Sequence, residues 1–358
     1  MLGMHSHPVA AMCALIAMCA LGLGCAQQAS LETQLERAPF PSVPKIVVPE
    51  NKLSVEPLTE ALRAKGFGEC NPHDPLGLGP YSPFIRLPLG QMLVPQEGGH
   101  TADMGYDVLI HFNGADPVRK LLVQTAGGLV LVLVDKGIGG GGPYARALGS
   151  KLVFPLLKEA IGKALQRHSG KETAHIRHVA ISSWSAGTAA VSKILAQGHE
   201  GIDAVVILDG LHGSWKQGEK RAQQPSSLDE RFLKHEIAYA KRAQAGETIF
   251  VLTHSSVDPF VFPATGTTAD QLLEQVGVRA KPLTPDDTAY SQISSADAGG
   301  LHVWGFSGKD KAAHCAQLFV MPRIVSDVLE AQWQTPKMNR AVPATPHPDW
   351  KYRKKTGP

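Results

Sequence analysis

The chain has 358 residues, 43 % of them hydrophobic and 19 % charged, with a mean hydropathy of -0.07, the balance of a water-soluble globular protein. Lys and Arg number 35 against 32 Asp and Glu. Six of those bases and one acid lie in Lys337–Pro358, so everything before carries 29 bases against 31 acids, a balance of -2, and no broad basic face that would suit nucleic acid.

In chain order, Val9–Ala26 runs without a charge, and the first charged side chain is Glu32. An apolar stretch of this length that is rich in Ala and Gly and ends in small residues is the pattern of an export signal. Gly24-Cys25-Ala26 resembles the end of a bacterial lipoprotein leader, which implies Cys25 as the lipidated first residue of the mature chain and a membrane anchor in the cell envelope. Gly22 stands where such leaders usually carry Leu, and no Lys or Arg precedes the apolar run. Cleavage after Ala26, giving a freely secreted protein, is the alternative. Cys13 and Cys19 leave with the leader in either case. Cys70 and Cys315 remain, and an oxidising compartment permits them to pair, or to stay as two buried thiols.

Residues 27–105 are rich in Pro and Gly and read as an irregular arm, with a helix near Pro57–Lys65 and short apolar stretches around Phe84–Leu93. From Tyr106 the texture changes. Short apolar runs at Tyr106–Phe112, Leu129–Val134, His178–Ser183, Ile202–Leu208, Thr248–Thr253 and Leu301–Phe306 have the look of strands buried on both faces. Between and after them, helical patterns occupy Asp116–Thr125, Tyr144–His168, Ala186–Gln197, Leu228–Gln244, Ala269–Val276 and Lys311–Trp333. Pro143 suits the first position of the second helix, and Ser227 with Glu230 forms a capping box for the fourth. Alternation of this kind predicts an α/β fold with a mostly parallel sheet flanked by helices. No internal repeat is present. Residues 334–358, with prolines and the basic cluster Lys351–Lys355, read as a disordered tail.

In such a sheet the chemistry belongs at the carboxyl ends of the strands. The third apolar run ends in Ser183-Trp184-Ser185-Ala186-Gly187, which passes directly into a helix of small residues. This resembles the G-x-S-x-G nucleophile elbow of the α/β-hydrolase superfamily, with Ser183 in place of the first Gly. The resemblance extends over residues 106–333 and implies Ser185 as nucleophile. His111-Phe112-Asn113-Gly114 is similar to the loop that donates to the oxyanion there, which implies main-chain donors among Asn113, Gly114 and Ala115, together with Ala186. His111 itself reads as structural. His254-Ser255-Ser256-Val257-Asp258-Pro259-Phe260-Val261 is similar to the segment carrying the acid, which makes Asp258 the first choice. Asp209, in Asp209-Gly210 after the preceding strand, is the second, since some members place the acid there. Gly308-Lys309-Asp310-Lys311-Ala312-Ala313-His314 follows the last strand and implies His314 as general base, with His302 a weaker candidate. Trp184, Tyr144 and Trp215 are expected to line the substrate pocket, and Leu211–Gln244 to form a small cap.

Two competing signals carry less. Gly137-Ile138-Gly139-Gly140-Gly141-Gly142 fits a dinucleotide-binding loop, but a glycine tract fills that pattern trivially and the next strand ends in Ser183 rather than a ribose-binding acid. The 15 histidines include no zinc-protease spacing, and only His212, His254 and Asp209 form a group to inspect for metal. No cofactor and no metal are expected. The expected protein is therefore an exported serine hydrolase acting through an acyl-enzyme on an ester, thioester or amide of a small-molecule or lipid-like acyl substrate. The alternative is a catalytically inactive envelope binding or scaffold lipoprotein on the same fold.

Overall fold

Six strands carry short, mostly apolar and buried runs, and burying these on both faces places them in the middle of a sheet. The computed structural model describes residues 70–347 except 74–75, 138–139, 199, 220–223 and 286–289, all within one compact unit, Lys52–Pro358. Ten strands form one sheet: β1 (Ile85–Arg86), β2 (Gln91–Leu93), β3 (Gly105–Phe112), β4 (Val130–Val134), β5 (His175–Trp184), β6 (Ala204–Leu208), β7 (Ile249–His254), β8 (Lys281–Pro282), β9 (Gln292–Ala298) and β10 (Leu301–Phe306). Their spatial order is β1-β2-β4-β3-β5-β6-β7-β10-β9-β8. The central six, β4 to β10, are parallel, while β1–β2 and β8–β9 add antiparallel edges.

The period of two along each strand divides the core into two layers. Val108, Ile110, Phe112, Val130, Val132, Ile181, Val205, Ile207 and Leu252 point to one face. Leu109, Leu131, Ala180, Val206, Leu208 and Val251 point to the other. The first face is covered by α2 (Gly142–Ala147), α3 (Val153–Ser169), α4 (Thr188–Gln197), α5 (Lys234–Gln244) and α6 (Thr265–Val276). The second is covered by α1 (Ala115–Thr125) and by the helical run Lys311–Trp333. That run begins as α7 (Lys311–Ala316), tightens to a 3-10 turn over Gln317–Val320, and widens to a π-helix over Ile324–Glu330.

Several expectations change. The helix predicted over Tyr144–His168 is two, because Gly149 and Ser150 interrupt it. The helix predicted from Leu228 starts at Lys234. Before it come two 3-10 turns, the second held by Asp229 accepting the Arg231 N–H at 3.1 Å, so the Ser227–Glu230 capping box does not form. α5 buries Ile237, Tyr239 and Ala243, and the Tyr239 hydroxyl donates to the Ile202 carbonyl, so it belongs to the helical layer. The described remainder of the expected cap, residues 211–219 and 224–233, is irregular apart from its 3-10 turns. The arm contributes β1 and β2 to the sheet, and the tail is ordered through His347: Met338 bridges to Gly98 and Thr345 to Gly79. The leader, Cys25, the Pro57–Lys65 helix and the basic cluster at Lys351–Lys355 lie outside the described residues.

Candidate active site

Strand β5 delivers Ser185 at its carboxyl end with φ +51°, a left-handed conformation that a serine adopts only where its surroundings impose it. Two glycines make this possible. A Cβ at Gly187 would lie 2.1 Å from the Phe112 carbonyl oxygen, and one at Gly210 would lie 2.5 Å from the Ser185 carbonyl oxygen and 2.9 Å from its nitrogen. Only hydrogen fits at either place. Ser183 Oγ lies 2.9 Å from Thr188 Oγ1, tying the end of β5 to the start of α4.

The partner of His314 is Asp209. Its Oδ2 is 2.6 Å from His314 Nδ1. Asp209 is buried and also accepts from the Ser255 N–H at 2.9 Å, from Ser255 Oγ at 2.7 Å and from the Thr265 hydroxyl. Burial pushes its carboxyl group up, but His314, Ser255 and Thr265 outweigh that and hold it below the usual carboxylate range. Asp258, the first choice from sequence, instead accepts the Phe260 N–H at 2.9 Å within its own loop. Ser255 and Thr265 are the residues that sequence reading missed, since a hydroxyl supporting a carboxylate has no spacing signature.

His314 is fixed from several directions. Asp310 caps α7 by accepting the Ala313 N–H at 2.7 Å, and the Tyr290 hydroxyl donates to Asp310 at 3.1 Å. The His314 ring stacks on Trp184 with centroids 4.8 Å apart, while Trp184 Nε1 donates to the His314 carbonyl at 3.2 Å. Trp184 precedes Ser185, and Gly210 follows Asp209, so these contacts bring Ser185, Asp209 and His314 together at one end of the sheet. Cys315, the next residue, forms a disulfide with Cys70, resolving the two possibilities left open for these thiols. His302 lies elsewhere, with Nδ1 2.7 Å from Asp297 Oδ1.

The loop after β3 is fully engaged at Asn113. Its N–H donates to Val134 at 3.1 Å and its Nδ2 to the Trp184 carbonyl at 2.9 Å. Its Oδ1 lies 3.1 Å from the Tyr144 hydroxyl. Asn113 is therefore not a main-chain oxyanion donor as expected. The remaining candidates are Gly114 and Ala115, at the N-terminal end of α1, with Ala186. Tyr144 does not line a pocket either: it is fully buried, and its hydroxyl also meets Asp135 at 2.9 Å and accepts the Lys136 N–H at 3.1 Å. His111 places Nδ1 2.8 Å from Ser182 Oγ and Nε2 2.7 Å from the Asn113 carbonyl, a ring with both nitrogens occupied. Trp215 is half-buried and bridges to Leu228 in the irregular segment. From the glycine tract, Gly141 runs against the elbow, where a Cβ would lie 2.7 Å from Ala189 Cβ.

Among the described residues no group of three or more His, Cys, Asp and Glu is arranged to hold a metal ion, and no helix is long and apolar enough to cross a membrane. His254 packs against Gly305 and Gly266, and its Nδ1 lies 3.3 Å from the Ser255 carbonyl.

No protein-family model matches the sequence, and no curated protein matches it significantly. Among solved structures, the chain is similar to the carboxylesterase CesB of Bacillus subtilis (8 % identity, TM-score 0.37, covering 75 % of this chain and 95 % of that one). It is also similar to the poly(3-hydroxybutyrate) depolymerase LpqC of Bordetella parapertussis (16 % identity, TM-score 0.39, 66 % and 83 %). A third is an α/β-hydrolase from the metagenome of Lake Arreo, Spain (10 % identity, TM-score 0.41, 77 % and 89 %).

Proposed function

We propose that the protein is an exported serine hydrolase that cleaves a carboxylic ester, thioester or amide through an acyl-enzyme. The observation that carries this reading is the left-handed Ser185 at the elbow beside the His314–Asp209 pair. In the first half-reaction Ser185 Oγ bonds to the substrate carbonyl carbon as its proton passes to His314 Nε2. His314 Nδ1–H stays on Asp209, which fixes the tautomer and stabilises the imidazolium. Negative charge on the carbonyl oxygen meets the N–H of Ala186 and one from Gly114 or Ala115. The bond to the leaving group then breaks as His314 returns the proton to it. Water, deprotonated by His314, attacks the acyl-serine, the acid leaves, and the proton returns to Ser185.

The leader and the Cys70–Cys315 disulfide support export, and Cys25 supports a lipid anchor in the cell envelope. Mass measurement of the mature N-terminus tests the anchor: a diacylglycerol on Cys25 supports it, and a chain starting at Gln27 overturns it. The hydrolase reading is tested by labelling the purified protein with a fluorophosphonate and by following p-nitrophenyl ester turnover. Both should fall by several orders of magnitude in Ser185→Ala. Full turnover in that variant overturns the mechanism, and a well-folded wild type that neither labels nor turns over any ester favours the binding lipoprotein.

A further inference from the structure

The chain leaving Asp209 passes the elbow at Gly210 and two residues later presents His212, a second histidine with no part in the proton path just described. It is held on both sides. The Leu211 carbonyl accepts the Thr268 hydroxyl at 2.5 Å, and Gly213 backs so closely on Thr268 that a Cβ there would lie 2.8 Å from its Cγ2. The ring of Phe262 meets the His212 ring edge-on, with centroids 4.9 Å apart. Yet His212 Nδ1 is buried without a hydrogen-bond partner among the described residues. His111 occupies both of its nitrogens, whereas His302, away from the site, shares an unpartnered Nε2; what sets His212 apart is its place beside Asp209 and the elbow. A polar atom left unpaired beside a nucleophile is one that a bound ligand can satisfy.

Burial first, and the nearby His314 charge second, depress the His212 pKa to about 4, although Asp209 and the Ser185 carbonyl act to raise it. At neutral pH the ring is therefore uncharged, and with its N–H directed to the Ser185 carbonyl the unpartnered Nδ1 is left as a lone pair. A hydroxyl group can donate to that lone pair. A carboxylate would be repelled by Asp209.

We propose that His212 determines specificity by hydrogen-bonding a hydroxyl group that the substrate carries close to its scissile bond, with Phe262 against the adjoining carbons, so that hydroxylated esters are the preferred class. The inference rests on the serine-hydrolase reading of the same site. Its test is selectivity between matched esters: p-nitrophenyl 3-hydroxybutyrate against p-nitrophenyl butyrate for a hydroxyl on the acyl side, and catechol monoacetate against phenyl acetate for one on the alcohol side. Each rate is divided by that of hydroxide-catalysed hydrolysis. In the wild type one hydroxylated ester should exceed its partner by about tenfold or more in kcat/KM. His212→Phe should bring that ratio close to one, chiefly through KM for the hydroxylated ester, and His212→Gln, which keeps hydrogen-bonding capacity, should restore part of it. Wild-type ratios within about twofold for both pairs overturn the proposal without recourse to any variant. So does a folded His212→Phe that keeps the preference, or that lowers both members of the pair alike. If Ser185→Ala is inactive while the ratios are flat, the His212 inference alone fails; if Ser185→Ala still turns over the plain esters, the hydrolase reading fails with it.

Discussion

At Asp209 and Asp258 the same residue type follows neighbouring parallel strands, and only the fold separates them. Asp209 lies directly at the end of β6 with φ +44°, and Gly210 behind it lets the chain turn against Ser185. Asp258 lies four residues beyond β7, where its carboxylate closes a local turn. The local pattern around Asp258 looked more like the family acid, and the decisive fact, which carboxylate faces His314, depends on residues more than a hundred positions apart. Asp209→Asn should reduce kcat by roughly 10³–10⁴-fold with little change in fold, because an amide no longer stabilises the imidazolium or fixes its tautomer. Asp258→Asn should stay within a few-fold of wild type, since Asn can make the same local turn. Steady-state kinetics on a p-nitrophenyl ester distinguish the two, and the reverse ranking would return the acid role to Asp258.

Among the elements, the central strands were legible because burial on both faces leaves short apolar runs alternating with helical patterns. The edges were not. β1 and β8 have two residues each, and β9 reads Gln-Ile-Ser-Ser-Ala-Asp-Ala, half-buried along most of its length, so no strong periodicity marks them. The start of α5 was misplaced because Ser227 and Glu230 have the spacing of a capping box, whereas a 3-10 turn capped by Asp229 occupies that place. α7 is the element on which the site depends most. It has six residues and holds His314 near its end, too short to be stable alone. The Asp310 cap, the Trp184 contacts and the Cys70–Cys315 disulfide supply the missing restraint. The disulfide closes a sequence separation of 245 residues, so Cys70→Ser/Cys315→Ser should lower unfolding stability by about 2–5 kcal/mol. It should also lower kcat under conditions where the variant is still folded, because His314 precedes the released cysteine. Denaturant melts and kinetics measured on one preparation decide this. A variant that loses stability but keeps full kcat would show that the disulfide serves the fold and not the position of the base.

For the molecule as a whole, the same buried histidines that shape the site set its tolerance to acid. Burial of His111 holds its pKa at about 4, against the opposing Asn113 carbonyl and Asp135, and His212 is held at about 4 as well. In the unfolded chain each titrates near 6.5. As pH falls below that value the unfolded state takes up protons that the folded state refuses, so stability is intact above about pH 6.5 and declines until the folded pKa is reached. The difference is worth on the order of 3 kcal/mol for each ring, a large part of the margin of an ordinary domain. Asp209, whose folded pKa lies below its unfolded value, acts in the same direction at lower pH: its contribution is present above the unfolded carboxylate range and is lost as the acid is protonated. Urea unfolding between pH 7.5 and 4.5 should therefore show a steady loss of stability centred in the histidine range, well before the carboxylates titrate. His111→Gln, which keeps a hydrogen-bonding side chain but has nothing to protonate, should be less stable at pH 7.5 through lost packing and yet lose less on acidification, by about 3 kcal/mol. Parallel pH profiles for wild type and variant would mean that His111 takes its proton without unfolding, and that the closed environment around it admits water more readily than its two hydrogen bonds imply.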